Sequence, residues 1–137
     1  MDKTIIISLS MLLFLSCKQE KATTESITQM KNVIMIHDEV MADMGKLAKL
    51  VDELKGKVDT TETGKEYNRA MKDLQLAHTA MMDWMHGFGD RFDSDEILNG
   101  KSLSEEKRTR LDEEEAKVKA LREQINTSIQ NAEELLK

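Results

Sequence analysis

His78-Thr79-Ala80-Met81-Met82-Asp83-Trp84-Met85-His86-Gly87-Phe88-Gly89 holds three of the chain's ten methionines, two of its three histidines and its single tryptophan. An upstream segment, His37-Asp38-Glu39-Val40-Met41-Ala42-Asp43-Met44-Gly45, repeats the pairing of histidine with methionine. In both segments apolar residues return every three or four positions, the period of a helix with one buried face. Two such helices placed side by side decide the fold.

Around the first segment, Tyr67, Met71, Leu74, His78, Met81 and Met85 share a face, with Ala70, Ala77 and Phe88 on its flank. Thr63 with Glu66 has the form of a capping box, and Gly87 and Gly89 are natural stops, so the spacing predicts a helix over residues 64–87. Around the second, the stripe runs Met30, Val33, Ile34, His37, Val40, Met41, Met44, Leu47, Ala48, Val51 and Leu54. Ser26 with Gln29 reads as its capping box and Gly56 as its end, which gives a helix over residues 26–56. A third helix is expected over residues 102–136, opened by Ser102 with Glu105 and buried along Leu111, Val118, Leu121, Ile125, Ile129, Ala132 and Leu136. Its early turns, through Asp112-Glu113-Glu114-Glu115, read as projecting into solvent. Residues 26–137 therefore make an all-α domain, a three-helix up-down-up bundle or coiled-coil-like helical array. The short link between the first two helices makes them antiparallel and sets Leu54 near Tyr67, Met44 near His78, and His37 and Met41 near Met81 and Met85. Gly45 falls at that level and would leave room for Trp84.

Ahead of the bundle, Lys3 and an apolar run from Ile5 to Leu15 have the layout of a secretory signal, too short for the ~20 residues of a spanning helix. The run ends in Phe14-Leu15-Ser16-Cys17, which resembles a bacterial lipobox, with Phe14 where a leucine is usual. Residues 1–16 are read as a lipoprotein signal peptide, Cys17 as the lipidated residue, and residues 17–25 as lipidated Cys and polar tether. Cys17 is the only cysteine, so no intramolecular disulfide competes for its thiol.

Net charge is −6, and it stays there once Asp2 and Lys3 leave together. An acidic chain disfavours nucleic acid and electrostatic docking on anionic lipid, so membrane contact is expected through the lipid on Cys17. With no proline, six glycines and 34% charged residues, nothing in the chain reads as a strand.

The motifs HDEVM-x-x-MGKL (His37 to Leu47), K-x-L-x-x-AH-x-x-MMDWM-x-x-FGDRFD (Lys72 to Asp93) and LSEEK (Leu103 to Lys107) together resemble a family of small lipoproteins from Flavobacteria and related Bacteroidetes labelled viral A-type inclusion proteins. The resemblance covers nearly all of the chain after Cys17. It implies a lipoprotein of a Gram-negative envelope and carries no activity. Lys18 in place of an aspartate after the lipidated cysteine implies, by analogy, outer-membrane sorting, facing the periplasm or the cell surface.

Chemistry concentrates in His37, Met41, Met44, His78, Met81, Met82, Met85 and His86. Imidazole nitrogen and thioether sulfur are neutral ligands that suit Cu(I) or Ag(I), and thioethers survive an oxidising compartment that consumes free thiols. The competing reading is structural, since methionines fill irregular cores and a histidine on an apolar stripe more often packs than ligates. Asp90, Asp93, Asp95 and Glu96 lack the alternation and central glycine of a calcium loop and read as a solvated acidic loop. No nucleophile, phosphate loop or triad is recognisable, so the chain reads as non-enzymatic. The leading expectation is a lipid-anchored helical module that binds another envelope protein or a second copy of itself, with no cofactor. The alternative is an envelope Cu(I)/Ag(I) carrier.

Overall fold

A computed structural model describes residues 6–137, with side chains from Glu20 onward. It contains five helices: α1 (Ile6–Ala42), α2 (Met44–Lys55), α3 (Glu62–Arg91), α4 (Ser94–Leu98) and α5 (Glu105–Leu135). No strand occurs among the described residues. The protein is an all-α bundle in which α1 and α2 together rise, α3 descends and α5 rises again.

The buried side chains follow a heptad rhythm. Along α3 they are Ala70, Leu74, Ala77, Met81, Trp84 and Phe88, and along α5 Leu111, Glu114, Val118, Ile125, Ser128, Ile129 and Ala132. Met30, Val33, Ile36 and Val40 face them from α1, and Leu47, Leu50 and Leu54 from α2. Alternating steps of three and four keep one seam per helix pointed at its partners, as in coiled coils. That rhythm moves the buried face of α3 by one residue from the stripe expected above. Ala77 is fully buried, and His78, expected on the buried face, is exposed. On the second helix Leu50 is buried and Ala48 exposed.

Several boundaries also differ from the expected ones. The helix expected at Ser26 is already under way at Ile6, so Lys18 to Glu25 is helical, not a coiled tether. The Ser26 hydroxyl donates to the Ala22 carbonyl at 2.9 Å, as Thr24 and Thr28 do one turn before themselves, so these hydroxyls bond within the helix rather than cap it. Gln29, the other half of the expected box, reaches across to Asp112 and Glu115 on α5. The α3 cap is Thr61, whose Oγ1 accepts from the Gly64 N–H at 3.0 Å, and the α5 cap is Ser104, accepting from the Lys107 N–H at 3.2 Å. Each stands two residues from the expected position. α3 continues through Gly87 and Gly89 to Arg91.

The connection before α3 closes over Gly64. The Asp59 carboxylate accepts from the Thr61 N–H at 2.9 Å, and a β-carbon on Gly64 would come within 2.6 Å of the Asp59 backbone nitrogen. Only glycine fits there.

α1 and α2 are one helix interrupted at Asp43, whose N–H bonds to the Val40 carbonyl at 3.0 Å in a tighter turn. The interruption separates two packing regimes. α2 lies close on α3 and α1 lies on α5, while the backbones of α1 and α3 stay apart. The residues explain the difference: opposite α2, α3 carries Ala70, Leu74 and Ala77, whereas towards its end it carries Trp84, Phe88 and, just beyond, Phe92. These three rings form a ladder with centroids 5.0 and 4.9 Å apart and fill the wedge between the helices. Gly45 makes no space for Trp84, since a β-carbon there would meet nothing within 4 Å.

The acidic start of α5 is packed, contrary to its expected projection. Leu111 and Glu114 are buried. Glu115 accepts from Gln29 at 2.8 Å, Asn32 at 3.0 Å and Lys119 at 2.6 Å, tying α5 to α1. The Lys119 ammonium, followed by the Gln29 amide, holds the Glu115 carboxyl below the usual glutamate range despite opposing desolvation. A depressed folded-state value means that this contribution is present above pH ~4.3, the ordinary glutamate value, and is lost as pH falls through the folded one. The urea midpoint is therefore expected to drop between about pH 6 and about pH 3, and less steeply in Glu115→Gln. Equal slopes for both chains would show that the Glu115 network does not couple folding to pH.

Candidate functional site

The two histidine and methionine segments meet where the wedge opens. His37, on the α1 face towards α3, lies against Trp84 with ring centroids 5.9 Å apart and planes tilted by 33°. This is the level expected for His37, between Met81 and Met85 in the α3 sequence. The His37 side chain is 18% exposed, and its Nδ1 lies 3.0 Å from the exposed Asp38 carboxylate. A carboxylate accepts, so in the neutral ring this contact assigns the proton to Nδ1 and the lone pair to Nε2. His37 Nε2 and Trp84 Nε1 are both buried without a hydrogen-bond partner. Unpaired buried polar atoms are uncommon, and here two sit on rings in contact.

The remaining residues of the cluster divide. Met81 is fully buried in the core. Met41, Met44, Met82 and Met85 are half-buried and packed against it. His78 and His86 are exposed. The eight residues therefore do not form one site, and only His37 among the histidines is drawn into the helix interface. Among the described residues no group of three or more His, Cys, Asp or Glu is placed to hold a metal ion. The expected lipidation site, Cys17, falls where side chains are not described. No described helix is long and apolar enough to cross a membrane.

Below the wedge, α4 was not anticipated. Asp93 and Glu96 form a reciprocal capping box, each side chain accepting from the other's backbone N–H at 3.0 and 2.9 Å. Glu96 is buried and bonded to Lys107 at 2.6 Å, whereas Asp90, Asp93 and Asp95 are exposed as expected, so the acidic stretch is a structured corner with a solvated rim. The spacing Asp93-x-x-Glu96 carried that signal in a stretch read as loop. Gly100, at φ +70°, brings the chain back with Ile27 3.4 Å from where a β-carbon would stand.

α4 and α1 enclose a shallow groove lined by Ile27, Met30, Ile34, Met35, Ile97 and Leu98. Met35 is 52% and Leu98 76% exposed, a high degree for large apolar side chains. Lys31, Asp38 and Glu39 stand along its α1 side. The sequence reading missed both exposed residues, although Met35 lies off the heptad seam that buries Val33, Ile36 and Val40. Compared with protein-family models, curated proteins and solved structures, the chain matches none.

Proposed function

We propose that this protein is a lipid-anchored module of the bacterial envelope that holds an amphipathic helix of another envelope protein in the groove between α1 and α4. The observation that carries the reading is the apolar lining with Met35 and Leu98 left open. From Ile27 to Asp38 the groove follows α1 for about three turns, ~16 Å, enough for three anchors of a partner helix at i, i+3 or i+4, and i+7. Asp38, beside His37, and Glu39, 3.5 Å from Arg122 of α5, stand on its margin at 70% and 54% side-chain exposure, and their outward oxygens favour basic residues on the edge of that helix. The anchor is lipid on Cys17, and the reading involves no catalysis.

A photo-crosslinking side chain at position 35 in living cells tests the groove. A discrete adduct is expected, lost on Leu98→Asp, with none from a crosslinker at the exposed Gln75 on α3. The same adducts with and without Leu98→Asp would discard the groove, and an adduct of twice the chain mass would make the occupant a second copy. In parallel, Cys17→Ser is expected to move the chain from the membrane to the soluble fraction. Continued sedimentation of the fully processed variant with membranes would remove the lipid anchor.

A further inference from the structure

We propose that His37, Met41 and Met85 form a site for one soft monovalent cation, Cu(I) or Ag(I), with the indole of Trp84 closing it. The site shares only Asp38 with the margin of the groove, and it is centred on His37. Its Nδ1 is held by Asp38, and its Nε2 is buried with no partner. A carboxylate fixing one ring nitrogen so that the other presents its lone pair is the arrangement that orients metal-bound imidazole. A lone pair removed from water and left unbonded is costly, and a cation supplies the missing partner.

The neighbouring residues suit a soft ion. Met41 follows His37 by one helical turn on the face towards α3, and Met85 adjoins Trp84, whose ring touches that of His37. Both methionines are half-buried against the core, and three rotatable bonds let each sulfur turn towards Nε2. One nitrogen and two thioethers make a neutral ligand set. Such a set suits Cu(I) and Ag(I), is poor for zinc, and leaves a single positive charge balanced through the imidazole by Asp38. Trp84 is 8% exposed, and its indole centroid lies 5.9 Å from that of the imidazole, so an ion held by His37 would have an electron-rich ring beside it. His78 and His86, exposed to solvent, and Met44, beyond the interruption at Asp43, have no part in the site.

Because Trp84 is the only tryptophan, its emission reports the site directly. The full chain carrying Cys17→Ser, so that no thiol competes for the ion, is titrated anaerobically with Cu(I) against a chromophoric Cu(I) chelator, and separately with Ag(I). Quenching that ends at one equivalent is expected with both ions and not with zinc. Met41→Leu and Met85→Leu preserve volume and should each weaken binding by at least about tenfold, the lower end of what metal-site changes cost. His37→Leu should abolish the quench. His78→Leu, His86→Leu and the groove variant Leu98→Asp should bind as the parent does, so failure of this site and failure of the groove are separate results. Emission indifferent to Cu(I), or affinity unchanged in both methionine variants, would overturn the proposal.

Discussion

Leu74→Ala is expected to lower the unfolding free energy by about 2–5 kcal/mol, a large part of the ~5–15 kcal/mol that holds a domain of this size together. Leu74 is fully buried at the middle of α3, on the seam between Ala70 and Ala77 and level with α2. Truncation removes its transfer free energy and leaves a cavity that neighbouring alanines are too small to fill. Two residues along the same helix, Leu76 is 63% exposed. Leu76→Ala should change stability by no more than about 0.5 kcal/mol. Urea unfolding followed by helix content measures both. A loss below about 1 kcal/mol at position 74 would mean that the α2–α3 interface is looser than its burial implies.

The second large effect concerns charge in the core. Glu114 occupies a seam position of α5 and its side chain is 3% exposed, bonded to Arg91 at 2.5 Å and Lys117 at 2.9 Å. Arg91 and Lys117 are partly open to solvent, at 35% and 48%. Removing Arg91 would leave a buried carboxylate with one half-exposed lysine. Breaking a buried pair costs about 3–5 kcal/mol, and with Lys117 still in place Arg91→Met should cost about 2–3 kcal/mol. Glu114→Leu should instead be near neutral or stabilising, because a leucine continues the row from Leu111 to Val118 and no buried charge remains. In the double variant most of the Arg91→Met loss should disappear. If Arg91→Met costs the same with leucine at position 114 as with glutamate, the pair is not the origin of the effect.

The heptad seams explain how much could be read in advance. The all-α class follows from apolar residues returning every three or four positions, and the short connection makes the first two helices antiparallel and brings His37 to α3 at its expected level, since it leaves little freedom of register. The face was harder. His78 and Ala77 are adjacent, and hydropathy favours neither, since alanine hides little area and histidine tolerates both settings. Only the continuous row from Ala70 to Phe88 selects Ala77. Glu114 was misplaced because charge was taken as a mark of solvent, whereas its partner Arg91 comes from another helix, 23 residues away. Ser26 was misread because a hydroxyl that caps a helix end bonds equally well to the carbonyl one turn before it. The pair of unpartnered ring nitrogens is a three-dimensional fact, and no spacing announces it.

If the anchor proposed at Cys17 holds, a continuous α1 makes its junction with the bundle a question of helical phase. Ten residue-to-residue steps lead from Cys17 to Ile27, where the groove begins, and at 1.5 Å and 100° per step they set its height at about 15 Å and fix its compass bearing about the axis. A coil at that place would let the bundle swivel freely, whereas a helix turns it as a key is turned by its shank. Adding one residue between Lys18 and Thr24 would swing the groove by about 100° with hardly any change in height, and adding seven would lift it by about 10 Å and return it almost to its original bearing. If that anchor and the partner are both fixed in one envelope, the single insertion is the more damaging of the two, and the height of the groove matters less than the direction in which it looks.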